Sequence, residues 1–127
     1  MAIKVVDASA MVAFLFDEPE APTIAEQIED HQLAAPAILG FELANVCATK
    51  IRRVPEERVK LEQAFAERRG LGVIEHAVAL DAVVALAAET RLTAYDASYL
   101  WLARRLGAEL VTLDRQLLRT YAAMGRA

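Results

Sequence analysis

The chain has 127 residues, with 14 Lys and Arg against 18 Asp and Glu, a formal net charge of -4 at pH 7. That length closes one hydrophobic core without staples, and a single cysteine, Cys47, excludes an internal disulfide framework and a multi-cysteine zinc site. The acidic balance argues against a nonspecific nucleic-acid coat, although a few clustered carboxylates holding divalent ions would account for the whole excess. No apolar run reaches the roughly 18 residues of a membrane helix, because Asp81 interrupts the best candidate. The start of the sequence has one early lysine and then a strand pattern, not a signal segment. The expectation is a cytoplasmic protein, without membrane contact, forming one domain over residues 1–127.

In chain order, Ile3–Val6 is an apolar run that reads as a buried strand ending at Asp7. Helical periodicity follows over residues 9–16 and 22–31, and a second strand over 33–35 is stopped by Pro36. Ile38–Arg53 and residues 56–69 read as helices. Pro55, Glu56 and Glu57 suit a first turn, where proline loses no hydrogen bond and acids favour the helix dipole. A third strand is expected at 71–74, just after Gly70, then helices at 77–90 and 95–106, the second closing at Gly107. Residues 110–113 read as a fourth strand, and 116–123 as a short helix before a frayed tail. Cys47 sits inside an apolar helical pattern and reads as a small core filler. Long helices between short apolar strands imply an α/β fold whose parallel sheet is covered on both faces.

The chain's only two serines stand in two copies of one tripeptide, Asp7-Ala8-Ser9 and Asp96-Ala97-Ser98. Asp7 ends the first strand and Asp114 the fourth, and in an open α/β sheet such ends share the edge where ligands bind. Each has a local explanation as well: Asp7 and Asp114 as helix N-caps, and Asp96 as part of a capping box, Thr93-Ala94-Tyr95-Asp96. Glu42 has no such explanation, because it lies inside Ile38–Arg53. With Asn45 and Thr49 it forms a polar stripe at helical spacing, either an ordinary solvated face or, given its apolar flanks, part of a largely enclosed helix. Four converging carboxylates need a counter-charge, since one pair 4 Å apart costs about 1 kcal/mol in water and about 4 kcal/mol at an effective dielectric of 20. Hard oxygen donors suit Mg²⁺ or Mn²⁺, and His31 and His76 lack the spacing of a zinc pair. An acid-only site fits phosphoryl-transfer chemistry.

Val5-Val6-Asp7-Ala8-Ser9, Phe41-Glu42-Leu43-Ala44-Asn45, Thr93-Ala94-Tyr95-Asp96-Ala97-Ser98-Tyr99 and Leu110-Val111-Thr112-Leu113-Asp114 resemble, in order and spacing, the four motifs of PIN-domain ribonucleases. The length is similar to that of the VapC toxins of toxin–antitoxin pairs. The resemblance implies a PIN-like three-layer sandwich with central parallel sheet order 3-2-1-4-5, although only four strands are legible. It also implies a Mg²⁺- or Mn²⁺-dependent endoribonuclease in which activated water attacks an RNA phosphodiester in line, leaving a 5′-phosphate and a 3′-hydroxyl. Asp7, Glu42, Asp96 and Asp114 would bind the metal. Ser9 and Thr112 would hydrogen-bond those carboxylates or a water between them, and Asn45 matches a polar residue one turn after the family's glutamate.

The partner implied is a VapB-type antitoxin, whose tail would bring an arginine or an acid to the cluster. A groove for it is expected near Ile51, Val54, Val59, Leu61 and Phe65. Lys50, Arg52 and Arg53, with Arg58 and Lys60, read either as an RNA grip or as an ordinary solvated helix end. A homodimer is expected from the apolar residues of 95–106, including Trp101, and of 110–124. Two alternatives stay open: a PIN nuclease for RNA processing or structured DNA without a toxin role, and a non-catalytic PIN-like binding module. The complete quartet argues against the second. Receiver domains and haloacid-dehalogenase-type phosphatases expect other patterns, respectively paired acids with a late strand-end lysine and a DxD motif.

Overall fold

Val5 and Val6 are fully buried because β1 (Ile3–Val6) lies inside the sheet, with a strand on each side. The computed structural model describes residues 2–124. After β1 come α1 (Ala8–Leu15), α2 (Ala21–Ile28), β2 (Gln32–Pro36) and α3 (Ile38–Arg53). Then follow α4 (Arg58–Ala66), β3 (Ile74–His76), α5 (Leu80–Thr90), α6 (Ala94–Leu106), β4 (Glu109–Val111) and α7 (Arg115–Met124). The strand order is β3-β2-β1-β4 and every pairing is parallel, with Val5 opposite Ala34, Val6 opposite Val111 and Pro36 opposite His76. Parallel neighbours need crossover connections, and the helices supply them. The result is the expected α/β sandwich.

Among the described residues there is no fifth strand. The chain leaves β4 and enters α7, where Leu117 is fully buried while Tyr121 and Met124 pack on the core at helical spacing. The implied order 3-2-1-4-5 therefore stands here as 3-2-1-4. The expected frayed tail, beyond Met124, lies outside the described residues. Two element boundaries also moved. The helix expected over 56–69 is split into a 3₁₀ turn (Pro55–Glu57), α4 and a second 3₁₀ segment (Glu67–Leu71), and Gly72 then takes a left-handed φ of 63°. Glycine accepts that conformation without a Cβ penalty. The chain becomes extended only past it, so β3 starts at Ile74 instead of Leu71.

Helix α6 is the main internal buttress and touches β1, β2 and β4. Ala97, Ser98, Tyr99, Leu100, Leu102 and Ala103 are all buried, and Trp101 packs against the core. This corrects the reasoning that assigned the apolar surplus of residues 95–106 to a second copy: the core consumes it, apart from exposed Tyr95. Helix α3 departs from expectation in the other direction. Only Leu39, Leu43 and Cys47 are buried, while Phe41, Ala44 and Asn45 are exposed, so the helix is a half-covered surface element. Cys47 is a core residue whose thiol donates to the Leu61 carbonyl at 3.6 Å, tying α3 to α4. Among the described residues, no helix is long and apolar enough to cross a membrane.

Candidate active site

The ends of β1 and β4 are knitted together around Asp7. Its amide donates to the Val111 carbonyl at 3.1 Å, carrying the ladder one residue past the end of β1. The side chain is 4 % exposed, a costly place for a carboxylate unless its oxygens are bonded. They are: Oδ1 accepts from the Ser9 hydroxyl at 2.7 Å and from the Ala10 amide at 3.0 Å, and Oδ2 accepts from the Thr112 hydroxyl at 2.5 Å. The bond to Ala10 also caps α1. Ser9 Oγ in turn accepts from the Leu113 amide at 2.9 Å, and Thr112 Oγ1 from the Asp114 amide at 3.0 Å. Two hydroxyls thereby fix both the buried acid and the turn that carries Asp114. Burial pushes the Asp7 carboxyl above its usual range, with a further push from Asp114, against the three hydrogen bonds that favour the anion.

The two Asp-Ala-Ser copies have different local chemistry. Ser98 donates to the Tyr95 carbonyl at 2.6 Å inside α6 and leaves its own aspartate alone. Asp96 sits in the first turn of α6, where its amide donates to the capping Thr93 hydroxyl at 3.1 Å. Burial raises the Asp96 carboxyl, and repulsion from Asp114 and Asp7 adds to it. Asp114 accepts from the Leu117 amide at 2.9 Å and so begins α7. Local capping and membership of the cluster are therefore not exclusive alternatives.

Glu42 reaches the same edge from α3. Its Oε1 accepts from the Tyr99 hydroxyl at 2.6 Å. Burial raises the Glu42 carboxyl most, Asp96 and Asp7 add to the rise, and the Tyr99 bond opposes it. The phenol is itself held far above its ordinary range by burial and by Glu42, so it stays a donor. Sequence reasoning missed Tyr99: it lies inside a recognised motif, yet nothing in the order of residues pairs position 99 with position 42.

Asp7 and Asp96 repel each other, and each also repels Glu42 and Asp114. The four are within electrostatic reach but do not form a closed cage. Among the described residues, no group of three or more acids, histidines or cysteines is gathered closely enough to hold one ion as placed. The donor chemistry fits a hard divalent cation, being all carboxylate oxygen with three of the acids pushed toward protonation.

The other nominated residues are elsewhere. Asn45 is exposed one turn beyond Glu42, and its carbonyl accepts from the Thr49 hydroxyl at 2.9 Å. Lys50, Arg52 and Arg53 stand eight to eleven residues past Glu42, roughly 12 to 16 Å along the helix. Lys50 pairs with Glu18 at 3.1 Å and lies over the Phe16 ring. Arg52 donates to the Thr49 hydroxyl at 3.5 Å. The fold does not bring this basic group to the acids. Exposed Arg115 follows Asp114 directly in sequence.

The family model described as PIN domain matches residues 4–123. The chain belongs to the PIN domain family. Ribonuclease VapC3 from Pyrobaculum aerophilum is 33% identical to this PIN domain over 125 residues, covering 94% of this chain and 95% of that protein. The crystal structure of PAE2754 from Pyrobaculum aerophilum matches it with a TM-score of 0.77 and 28% identity. That alignment covers 93% of this chain and 84% of the other. All four acids fall within the family match.

Proposed function

We propose that this PIN domain is a metal-dependent endoribonuclease, the toxin of a VapBC-type pair, acting in the cytoplasm. The observation that carries the reading is the quartet: acids from four separate stretches of chain lie within electrostatic reach around Asp7 and Asp96, and burial, with a smaller addition from their repulsion, raises the carboxyls of Asp7, Glu42 and Asp96. Similarity to a ribonuclease of the VapC type over nearly the whole chain supports the substrate class. A Mg²⁺ or Mn²⁺ ion held by Asp7, Glu42, Asp96 and Asp114 would supply activation of water and neutralise charge at the phosphate.

The protein's own part is orientation. Ser9 and Thr112 fix the carboxylate plane of Asp7, and Tyr99 fixes one oxygen of Glu42, so these two acids are held in place without reorganising during reaction. Water adds to phosphorus as the bond to the 3′ oxygen breaks, and that oxygen leaves as a hydroxyl.

The antitoxin reading gains support from a cleft of about 420 Å³ between the end of α1, the end of α3 and α4. Leu15, Phe16, Val54 and Leu61 line it, with the cations Lys50, Arg53 and Lys60 and the acids Asp17 and Glu57 among them. Apolar residues bordered by charges of both signs suit an amphipathic helix. The groove expected from sequence is thereby revised. Val54 and Leu61 belong to it, but Phe65 packs on the core beneath Arg68, and Val59 is exposed outside the cleft. Lys50 and Arg53 serve this partner better than they serve RNA at the acids. For a homodimer, the stretches first expected to carry it leave Tyr95, Leu113 and Leu118 exposed, and α5 adds exposed Leu80 and Val84, one turn apart.

Co-expression tests the toxin reading. Induction of the chain alone should arrest growth with cut RNA, and Asp7→Asn or the cognate partner should relieve it. Arrest that persists in the Asp7→Asn variant would refute it.

A further inference from the structure

A cavity of about 200 Å³ opens between α3, Met11 of α1 and the chain that leads through Gly72 into β3. None of the four acids lines it. On α3 it is bordered by Leu39, Gly40 and Leu43, and Glu42 stands roughly 200° around the helix axis from Gly40. The cavity is therefore separate from the carboxylate cluster.

The buried part of its lining is apolar: Met11, Leu39 and Leu43 belong to the core, and half-buried Val73 lies beside them. Toward solvent the lining carries charges of both signs, Arg68 and Arg69 from the second 3₁₀ segment and Glu75 from β3. Among the described residues none of these three has an ion-pair partner, although they border one space. Arg68 is nonetheless held in place. Its guanidinium lies 3.8 Å from the centre of the Phe65 ring and donates through Nη1 to the Phe65 carbonyl at 3.0 Å, which leaves other N–H groups of the fork for a ligand.

Gly40 points the same way. Glycine inside a helix is destabilising relative to alanine, yet a Cβ at this position would meet no atom within 4 Å. Crowding within the protein does not call for glycine there, whereas a molecule in the cavity would. Gly72 is different, since its φ of 63° accounts for it.

We propose that this cavity binds a free α-amino acid with an apolar side chain. An apolar cavity of about 150 Å³ holds benzene, so 200 Å³ accommodates a branched aliphatic or phenyl side chain but not a nucleotide. The α-carboxylate meets the arginines, whose paired N–H groups match its two oxygens. The α-ammonium meets Glu75. A simple acid would set its charge against Glu75, and a simple amine would set its charge against two arginines. A zwitterion satisfies both walls. This proposal is independent of the ribonuclease reading.

The test is calorimetric titration of the full chain with L-leucine, L-isoleucine, L-methionine and L-phenylalanine. Three relatives of leucine follow: 4-methylpentanoate lacks the ammonium, isoamylamine lacks the carboxylate, and N-acetyl-leucine keeps the carboxylate without the positive charge. At least one amino acid should bind with a Kd of about 1 mM or tighter, and the three relatives about tenfold more weakly than leucine or worse. Gly40→Leu should fill the space and abolish binding while melting no lower than the parent. Arg69→Gln and Glu75→Gln change exposed side chains, so they keep the site testable if Gly40→Leu fails to fold, and each should weaken binding about tenfold or more. Binding weaker than about 1 mM by all four amino acids would overturn the proposal. So would 4-methylpentanoate or N-acetyl-leucine binding as tightly as leucine, since the ammonium would then count for nothing. Affinity unchanged in Arg69→Gln and Glu75→Gln proteins would place the ligand elsewhere and overturn it as well.

Discussion

Replacing Tyr99 with Phe removes one oxygen atom and leaves the packing of α6 intact. The hydroxyl is the only polar part of a side chain that is 1 % exposed, and it donates to Glu42 at 2.6 Å. A hydrogen bond to a charged group contributes about 1.5 to 3 kcal/mol, and the half-buried acceptor puts this one near the lower end. Water can reach Glu42 once the phenol is gone, and the freed side chain can turn from Asp96 and Asp7, which repel it. The two effects offset each other in metal-free protein, so urea stability should fall by no more than about 1 kcal/mol. Cation binding should respond more strongly. Glu42 would have to be re-ordered against up to about 2 kcal/mol of side-chain entropy, which corresponds to a loss of Mn²⁺ affinity on the order of tenfold. Calorimetric Mn²⁺ titrations of the parent, Tyr99→Phe, Glu42→Gln and the double variant would separate this from packing. The loss should vanish when Tyr99→Phe is made in the Glu42→Gln protein. An equal loss in both backgrounds would refute the reasoning, because Tyr99 would then act through something other than Glu42.

Three further outcomes are expected. Asp7, Glu42 and Asp96 all carry native values raised above their unfolded ones. Their contribution to stability is full below the unfolded value near 4 and is lost as pH rises through the native values. Metal-free protein should therefore lose urea stability as pH rises above the unfolded carboxylate range more steeply than Asp7→Asn does, and parallel slopes would count against the cluster. Arg53→Glu with Lys60→Glu should weaken the antitoxin complex at least tenfold while the free variant still cuts RNA in Mn²⁺; an unchanged pull-down affinity would move the partner off this cleft. Light scattering should give a dimer at micromolar concentration that Val84→Glu dissociates, and a monomeric parent would reject the α5 surface.

The parts of this fold legible in sequence are those written in local pattern. Ile3–Val6 alternates with helices of clear period, and Asp7 and Asp114 mark strand ends by their position after apolar runs. What escaped depends on conformations or contacts without a period. Gly72 in the left-handed region delays β3 by three residues, and a 3₁₀ segment mimics the helix before it. Phe41 looks like core in sequence because it is apolar beside Leu39 and Leu43, yet its rotation about α3 sends it to solvent. The Tyr99–Glu42 bond joins residues 57 positions apart and is created only when α6 and α3 meet at the edge. The basic run after Glu42 was legible as charge, but its distance from the acids came only from the direction in which α3 runs.

The most direct test of the central claim is Mn²⁺-dependent cleavage of RNA by protein first stripped with chelator, compared with Asp7→Asn and Asp96→Asn proteins shown by circular dichroism to be folded. The stripped parent should be inactive, recover on adding Mn²⁺, and release fragments with 5′-phosphates, while both variants stay at least a hundredfold slower at saturating metal. Cutting by either folded variant at the parent's rate, or full activity in the stripped parent, would contradict it.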